Sequence, residues 1–165
     1  MGTSHHSLRV SRRTLVAWAG ALLSTVPATA ALAATPHAIK VWKDPQCGCC
    51  KDWIGHMEQE GFVVQALDEG NRGVRSRLGL PSRYGSCHTA LVEGYVVEGH
   101  VPAADVRRLL ARRPDAIGLA VPGMPIGSPG MDGPAYRGRR DAYEVLLIRK
   151  DGSARVFSAY EGNAP

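Results

Sequence analysis

The chain has 165 residues and a formal net charge of +5, from 20 Lys and Arg against 15 Asp and Glu. This length allows one small domain and little more. The basic residues are dispersed along the chain and form no single stripe, which speaks against nucleic-acid binding. The apolar run at 15–26 is too short to span a bilayer, which excludes a membrane-embedded enzyme.

Residues 1–33 are predicted to be an export signal. Arg12-Arg13 stands before the apolar run, and Ala31-Leu32-Ala33 supplies the small residues that signal peptidase requires. Cleavage there leaves a single domain of residues 34–165; an uncleaved N-terminal anchor is the alternative. The arginine pair also resembles a twin-arginine signal, so both this route and the general secretory route stay open.

The remaining pattern alternates between strand and helix. Hydrophobic periodicity and Gly/Pro breaks predict, in chain order, a strand at 38–42, a helix from Cys50 to Gly61, a strand at 62–67, a short helix at 71–78, a hairpin of strands 89–92 and 95–98, a helix from Pro102 to Arg113, and a closing hairpin of 143–149 and 154–158. The segment 118–133 is rich in Gly and Pro and is predicted to be a long irregular loop. This order predicts a thioredoxin-like α/β fold, with a central mixed sheet flanked by helices, the C-terminal Gly/Pro loop and an added hairpin.

Three cysteines occur within four residues, Cys47-Gly48-Cys49-Cys50, at the predicted junction between the first strand and the first helix. A helix N-terminus lowers the pKa of nearby thiols, and the thiolate is both the nucleophile and the metal ligand. Cys47 and Cys50 have the Cys-x-x-Cys spacing of a redox disulfide and would be the catalytic pair of an oxidoreductase. Such a redox pair needs two cysteines and gains nothing evident from the third, Cys49.

The extra thiol favours a soft metal. Cu(I) accepts two or three thiolate ligands and can be bridged by sulfur, so the cysteines could hold one ion or a small cluster. Zinc needs four ligands, which Cys47, Cys50, Cys87 and His88 could supply, and it stays open as an alternative.

Cys87-His88 precedes the third predicted strand. In a thioredoxin-like topology this strand begins beside the N-terminus of the first helix, so Cys87 should join the cysteine cluster. Thioredoxins have a substrate-binding cis-proline at this point, which Cys87-His88 replaces. The alternatives are a buried small side chain for Cys87 and a hydrogen-bonded imidazole for His88. Ser86-Cys87-His88 lacks an evident orienting acid, which argues against a hydrolase.

Met124 and Met131 lie in the Gly/Pro loop, and thioethers are ligands that suit Cu(I). Packing of the loop over the core is the alternative for both. Three histidines are given plainer roles: His100 as a capping or hydrogen-bonding group, His56 as a surface residue, and His37 as an exposed tail residue. Met57 is predicted to be in the core.

These motifs together resemble the CopG-like periplasmic copper-resistance proteins. The matching segments are 42–50, Trp53, 56–57, 86–90, 98–102, 118–125 and 127–131. The resemblance implies a thioredoxin-like fold that binds copper, as a thiolate-bridged, multinuclear Cu(I) site, and acts in copper homeostasis or resistance in the periplasm. Cys47, Cys49, Cys50 and Cys87 match the family's cysteines one for one, and His88, Met124 and Met131 match further family positions.

Three functions follow as hypotheses. The first is an exported protein that binds Cu(I), with copper ions and other periplasmic copper-handling proteins as partners and neither nucleic acid nor membrane after signal cleavage. The second is an oxidoreductase of disulfides or copper that uses Cys47 and Cys50. The third is a zinc-stabilised interaction domain.

Overall fold

The computed structural model describes residues 1–3 and 35–163, so the predicted export signal lies almost wholly outside the described residues. Seven strands and three helices follow in chain order: β1 (Ala38–Lys43), α1 (Gly48–Gln59), β2 (Val63–Leu67), α2 (Arg72–Arg77), β3 (His88–Val92), β4 (Tyr95–Glu98), α3 (Ala103–Arg112), β5 (Gly118–Ala120), β6 (Tyr143–Ile148) and β7 (Ala154–Tyr160). Short 3-10 turns occur at Ser82–Tyr84 and Pro134–Tyr136. In the part of the chain described, no helix combines the length and the apolar character that crossing a membrane requires.

The strands form one mixed sheet in the order β2-β1-β3-β4-β5-β6-β7. β1 and β2 are parallel and joined through α1, and β4 and β5 are parallel and joined through α3. The other neighbours are antiparallel. The predicted α/β class with a mixed sheet is therefore confirmed.

The main core lies where α1 and α3 pack on the sheet. Trp53 and Met57 of α1 and Leu109 of α3 are fully buried there with side chains of β1, β3, β4, β5 and β6. A second, smaller cluster of Leu80, Val96, Ala120 and Ile148 is separate from it. Because successive strand residues point to opposite faces, Val96 and Val97 contribute to different clusters. The prediction that Met57 is in the core is confirmed.

One predicted loop boundary is wrong. The Gly/Pro-rich segment does not begin as a loop, because Gly118–Ala120 forms β5 between β4 and β6. Gly118 permits this insertion, since a side chain there would collide with the backbone of Val96 on the neighbouring strand. The irregular part begins after Ala120, and it is this part that reaches the cysteines.

Candidate metal centre

The three clustered cysteines stand at the N-terminus of α1. Cys47 is the N-cap, and its Sγ accepts a hydrogen bond from the Cys50 backbone N–H at 3.3 Å. The preceding turn is fixed by the Cys47 N–H, which donates to the Asp44 carbonyl at 3.0 Å. No acidic residue occupies the first turn of α1, so the positive end of the helix dipole acts on the sulfurs alone.

Cys47 and Cys50 are joined in a disulfide, as their spacing allowed. The other two cysteines, Cys49 and Cys87, are free and partly buried. Cys50 is fully buried, whereas Cys47 is partly exposed. An attacking thiolate or an electron donor can therefore reach the disulfide only at Cys47.

The sheet brings Cys87 to this cluster. Lys43 at the end of β1 pairs with His88 at the start of β3, which places Cys87 beside the turn that leads into α1. Cys49 Sγ lies 3.6 Å from Cys47 Sγ and 3.9 Å from Cys87 Sγ. All four cysteine sulfurs lie within 4.8 Å of one another, as a shared metal site requires.

Two fully buried histidines adjoin Cys87 on its inner side. Its Sγ is 3.4 Å from Nδ1 of His88 and 3.0 Å from Nε2 of His100, and the three residues form a second candidate metal-binding group. His100 Nδ1–H donates to the Pro129 carbonyl at 2.8 Å, which leaves Nε2 of the neutral ring with its lone pair toward Cys87. His88 Nε2 has no hydrogen-bond partner among the residues that the structure describes.

Burial sets the protonation of these groups. It lowers the pKa of His88 well below its ordinary value and also lowers the pKa of His100. Burial, reinforced by the neighbouring Cys49, raises the pKa of Cys87 to about 12. In the metal-free protein at neutral pH the imidazoles are therefore neutral, which is the form that binds metals, and Cys87 is a thiol.

His100 was predicted to cap or to hydrogen-bond, and it does hydrogen-bond to Pro129, but its contact with Cys87 was not predicted. The hairpin of β3 and β4 has a two-residue turn, and its register pairs Thr89 with Glu98. Two steps further along the same register, Cys87 faces His100. The predicted hairpin contained this signal, because a two-residue turn fixes the register.

The Gly/Pro segment crosses the cluster as an irregular strap, residues 121–131. Met124 Sδ lies 3.9 Å from Cys49 Sγ, and the Met124 side chain is 51% exposed. Gly130 lies against the backbone of α1, where an added Cβ would stand 2.7 Å from both Cys49 O and Trp53 N. The second predicted methionine is placed differently, since Met131 Sδ accepts a hydrogen bond from the Tyr136 hydroxyl at 3.3 Å.

A buried carboxylate, which the sequence reasoning missed, holds the backbone before Cys87. Glu98 is fully buried, and its Oε1 accepts from Ser86 N–H at 2.7 Å and from Arg75 Nε at 2.8 Å. Arg75 also donates to the Ser86 carbonyl at 2.6 Å. Thr89 Oγ1 donates to the other carboxylate oxygen at 2.5 Å. Both polar backbone atoms of Ser86 are thus fixed, and with them the position of Cys87.

His37 and His56, the other two histidines among the described residues, lie outside the cluster. His56 Nε2 accepts a hydrogen bond from the Ala103 N–H at 3.2 Å, so this partly exposed side chain caps α3. His37 pairs through Nδ1 with Glu93. Neither belongs to the groups of metal-binding side chains found in residues 35–163.

A cleft of about 490 Å³ opens from the cysteines to solvent and has Cys47, Asn71 and Cys87 in its wall. The fold and this site define an α/β protein with a sulfur-rich candidate metal centre. Two solved structures are similar to it, both described as copper resistance protein CopG. Form 1 is 50% identical with a TM-score of 0.72, covering 78% of this chain and 100% of that one. Form 2 is 49% identical with a TM-score of 0.71, covering 77% and 100%.

The chain belongs to the family of the copper resistance protein CopG. The family described as "Protein of unknown function, DUF411" matches residues 84–131, a stretch that holds Cys87, both buried histidines and the strap. No curated protein matches the chain.

Proposed function

We propose that this protein is exported and binds Cu(I) in a cysteine thiolate site, within copper homeostasis or resistance. The single observation that carries the proposal is the meeting of four cysteine sulfurs within 4.8 Å. Thiolate, thioether and neutral imidazole are the ligands that Cu(I) prefers, and all three surround this point. The two similar structures carry the name of a copper resistance protein, which supports the choice of copper.

The proposed ligands form an inner and an outer set. Cys49, Cys87 and the reduced Cys47 and Cys50 supply bridging sulfurs for one or several ions. Among the outer ligands, His88 offers a buried imidazole and Met124 an exposed thioether 3.9 Å from Cys49 Sγ. Met131, the remaining outer ligand of the proposal, must first leave its hydrogen bond with Tyr136. His100 joins the set on the grounds of its distance from Cys87.

Copper capacity should depend on the redox state of the protein. With Cys47 and Cys50 in a disulfide, two thiols are free; reduction makes four sulfurs available. We further propose that residues 38–112 form a thioredoxin-like unit, which the strand order β2-β1-β3-β4, with α1 between β1 and β2 and with α3 after β4, supports. The Cys-x-x-Cys disulfide then occupies the helix N-terminus that such folds use for redox chemistry.

A metal-competition experiment tests this proposal. The reduced protein is titrated anaerobically with Cu(I) in the presence of zinc, and metal content and thiolate-cluster luminescence are measured. More than one Cu(I) per chain, with fewer ions bound by Cys49→Ser, is the expected result. Unchanged Cu(I) binding by Cys49→Ser would refute the multinuclear Cu(I) site. One tightly bound zinc would instead favour a zinc site formed by Cys47, Cys50, Cys87 and His88.

The disulfide itself favours a second function, an oxidoreductase acting on protein disulfides or on copper. Cys47 is the accessible sulfur and Cys50 the buried one, so a two-electron donor would attack Cys47 and release the Cys50 thiol. Cys47→Ser should abolish turnover of copper or disulfide substrates. Equal turnover rates for this variant and the wild type would rule out the oxidoreductase function.

Export belongs to the proposal as well. We expect cleavage after Ala33 and a periplasmic mature protein of residues 34–165, with other copper-handling proteins of that compartment as partners. N-terminal sequencing of protein recovered from the periplasmic fraction should begin at Ala34. Recovery of the full chain from the cytosol would contradict export.

A further inference from the structure

The oxidoreductase function gives no role to two of the four cysteines, because a Cys-x-x-Cys redox pair needs no third cysteine beside it. In this structure Cys47 and Cys50 are already bonded to each other, yet two further thiols lie in the same cluster. Cys49 and Cys87 are both partly exposed, and their sulfurs are 3.9 Å apart. The geometry of the cluster therefore determines which disulfide these two thiols can form when the protein is oxidised further.

Cys49 has few choices once the first disulfide exists. Its sequence neighbours Cys47 and Cys50 are bonded to each other, and a vicinal disulfide with Cys50 would be strained. The remaining cysteine of the chain is Cys87. Cys49 and Cys87 are 38 residues apart in sequence and are brought together only by the pairing of β1 with β3.

Joining these sulfurs needs only a small movement. A disulfide bond is about 2.0 Å long, so the sulfurs must approach by roughly 1.9 Å. We expect rotation of the two cysteine side chains to supply this shift. The backbone before Cys87 stays in place, because Glu98 and Arg75 hold Ser86.

We propose that Cys49 and Cys87 are a second redox pair, which closes to a disulfide while Cys47–Cys50 is oxidised and gives the cluster a capacity of four electrons. The inference rests on the proposed copper function only in naming the oxidant, Cu(II). Two thiols lose two protons and two electrons as the sulfur–sulfur bond forms, and each electron reduces one Cu(II) to Cu(I). A fully reduced chain with four cysteines therefore reduces four Cu(II), and one that stops at Cys47–Cys50 reduces two.

Peptide mapping detects the second pair directly. The reduced protein is treated anaerobically with excess Cu(II), the Cu(I) formed is counted with a Cu(I)-specific chelator, and the metal is removed. Free thiols are then blocked, and the unreduced protein is digested with trypsin. Trypsin should release 44–51, which carries three cysteines, and 84–107, which carries Cys87. Only a Cys87 disulfide links these peptides, and gel filtration shows whether the link lies within one chain.

The expected result for the wild type is four Cu(I) formed, no free thiol and a linked 44–51/84–107 species from monomeric protein. Cys49→Ser and Cys87→Ser should each stop at two Cu(I) with one thiol left. The double variant Cys47→Ser/Cys50→Ala isolates the second pair and should form two Cu(I) and the same linked peptides. Alanine suits position 50 because that side chain is fully buried.

Two Cu(I), two free thiols and no linked peptides in the wild type would overturn the second pair, and so would a link found only in dimers. These outcomes are separable from failure of the copper site. Anaerobic Cu(I) binding by reduced wild type tests the site alone. The linked peptides can also be sought after oxidation with diamide, a metal-free thiol oxidant.

Discussion

Gly130 is the point where the strap touches α1, and its replacement by alanine measures that contact. Its φ is +84°, a left-handed conformation that costs an L-residue about 1–2 kcal/mol. The added Cβ would also stand 2.7 Å from Cys49 O and from Trp53 N, which are helix backbone atoms that cannot rotate away. Overpacking of this kind costs about 1–3 kcal/mol more. Gly130→Ala should therefore destabilise the protein by about 2–5 kcal/mol.

Gly138 offers a matched control. It also has a left-handed φ, +75°, but among the described residues no atom beyond its two chain neighbours lies within 4 Å of the position of an added Cβ. Gly138→Ala should thus show the conformational cost alone, about 1–2 kcal/mol. The free energies of unfolding of both variants are measured in urea by linear extrapolation.

The difference between the two variants isolates the contact with the helix. We also expect Gly130→Ala to bind Cu(I) more weakly, because a displaced strap takes Met124 away from Cys49 and Pro129 away from His100. Equal destabilisation by both alanines, with unchanged Cu(I) affinity, would show that the strap does not press on the cysteine-bearing turn.

Three further predictions concern groups outside the proposed ligand set. Glu98→Gln should weaken Cu(I) binding about 10- to 100-fold, measured by chelator competition, because the carboxylate positions Cys87 from outside the ligand set. Asp105→Ala is its control: it should cost about 1–3 kcal/mol of unfolding free energy by leaving Arg108 and the Ser158 and Tyr160 hydroxyls without their shared carboxylate, yet leave Cu(I) affinity unchanged. Burial lowers the pKa of His56, so the unfolded chain takes up a proton first and stability should fall as pH drops below 6.5. The buried His88 and His100 contribute to the same fall, so His56→Gln should remove only the share of His56 and make the profile less steep; a profile unchanged by this substitution would contradict the assignment.

Local signals in the sequence predicted much of the architecture. Glu93-Gly94 was predicted to turn a hairpin, and both residues have the positive φ that a two-residue turn requires. The helix that begins at the cysteines was predicted from the spacing of Trp53 and Met57, and both are fully buried. The position of Cys87 beside the cluster was predicted from topology, since the strand that follows it pairs with β1.

Long-range contacts were harder to predict. The sequence did not predict β5, because Gly118 weakens the hydrophobic pattern of this strand. The position of β5 in the sheet depends instead on close packing of Gly118 against the backbone of Val96. The link between Arg75 and Glu98 joins α2 to β4, which are separated by a 3-10 turn and by β3, and no spacing rule connects them. The two methionines of the strap have similar sequence surroundings, yet only Met124 is placed beside a cysteine, because Met131 Sδ is bonded to Tyr136.

The most direct test of the central claim is X-ray absorption spectroscopy at the copper edge on the reduced protein loaded with Cu(I). A cysteine-thiolate site with more than one ion predicts a first shell dominated by sulfur together with a copper–copper scattering path. Cys49→Ser should lose that path and part of the sulfur shell. A first shell of nitrogen and oxygen, unchanged by this substitution, would contradict a copper centre built on the four cysteines.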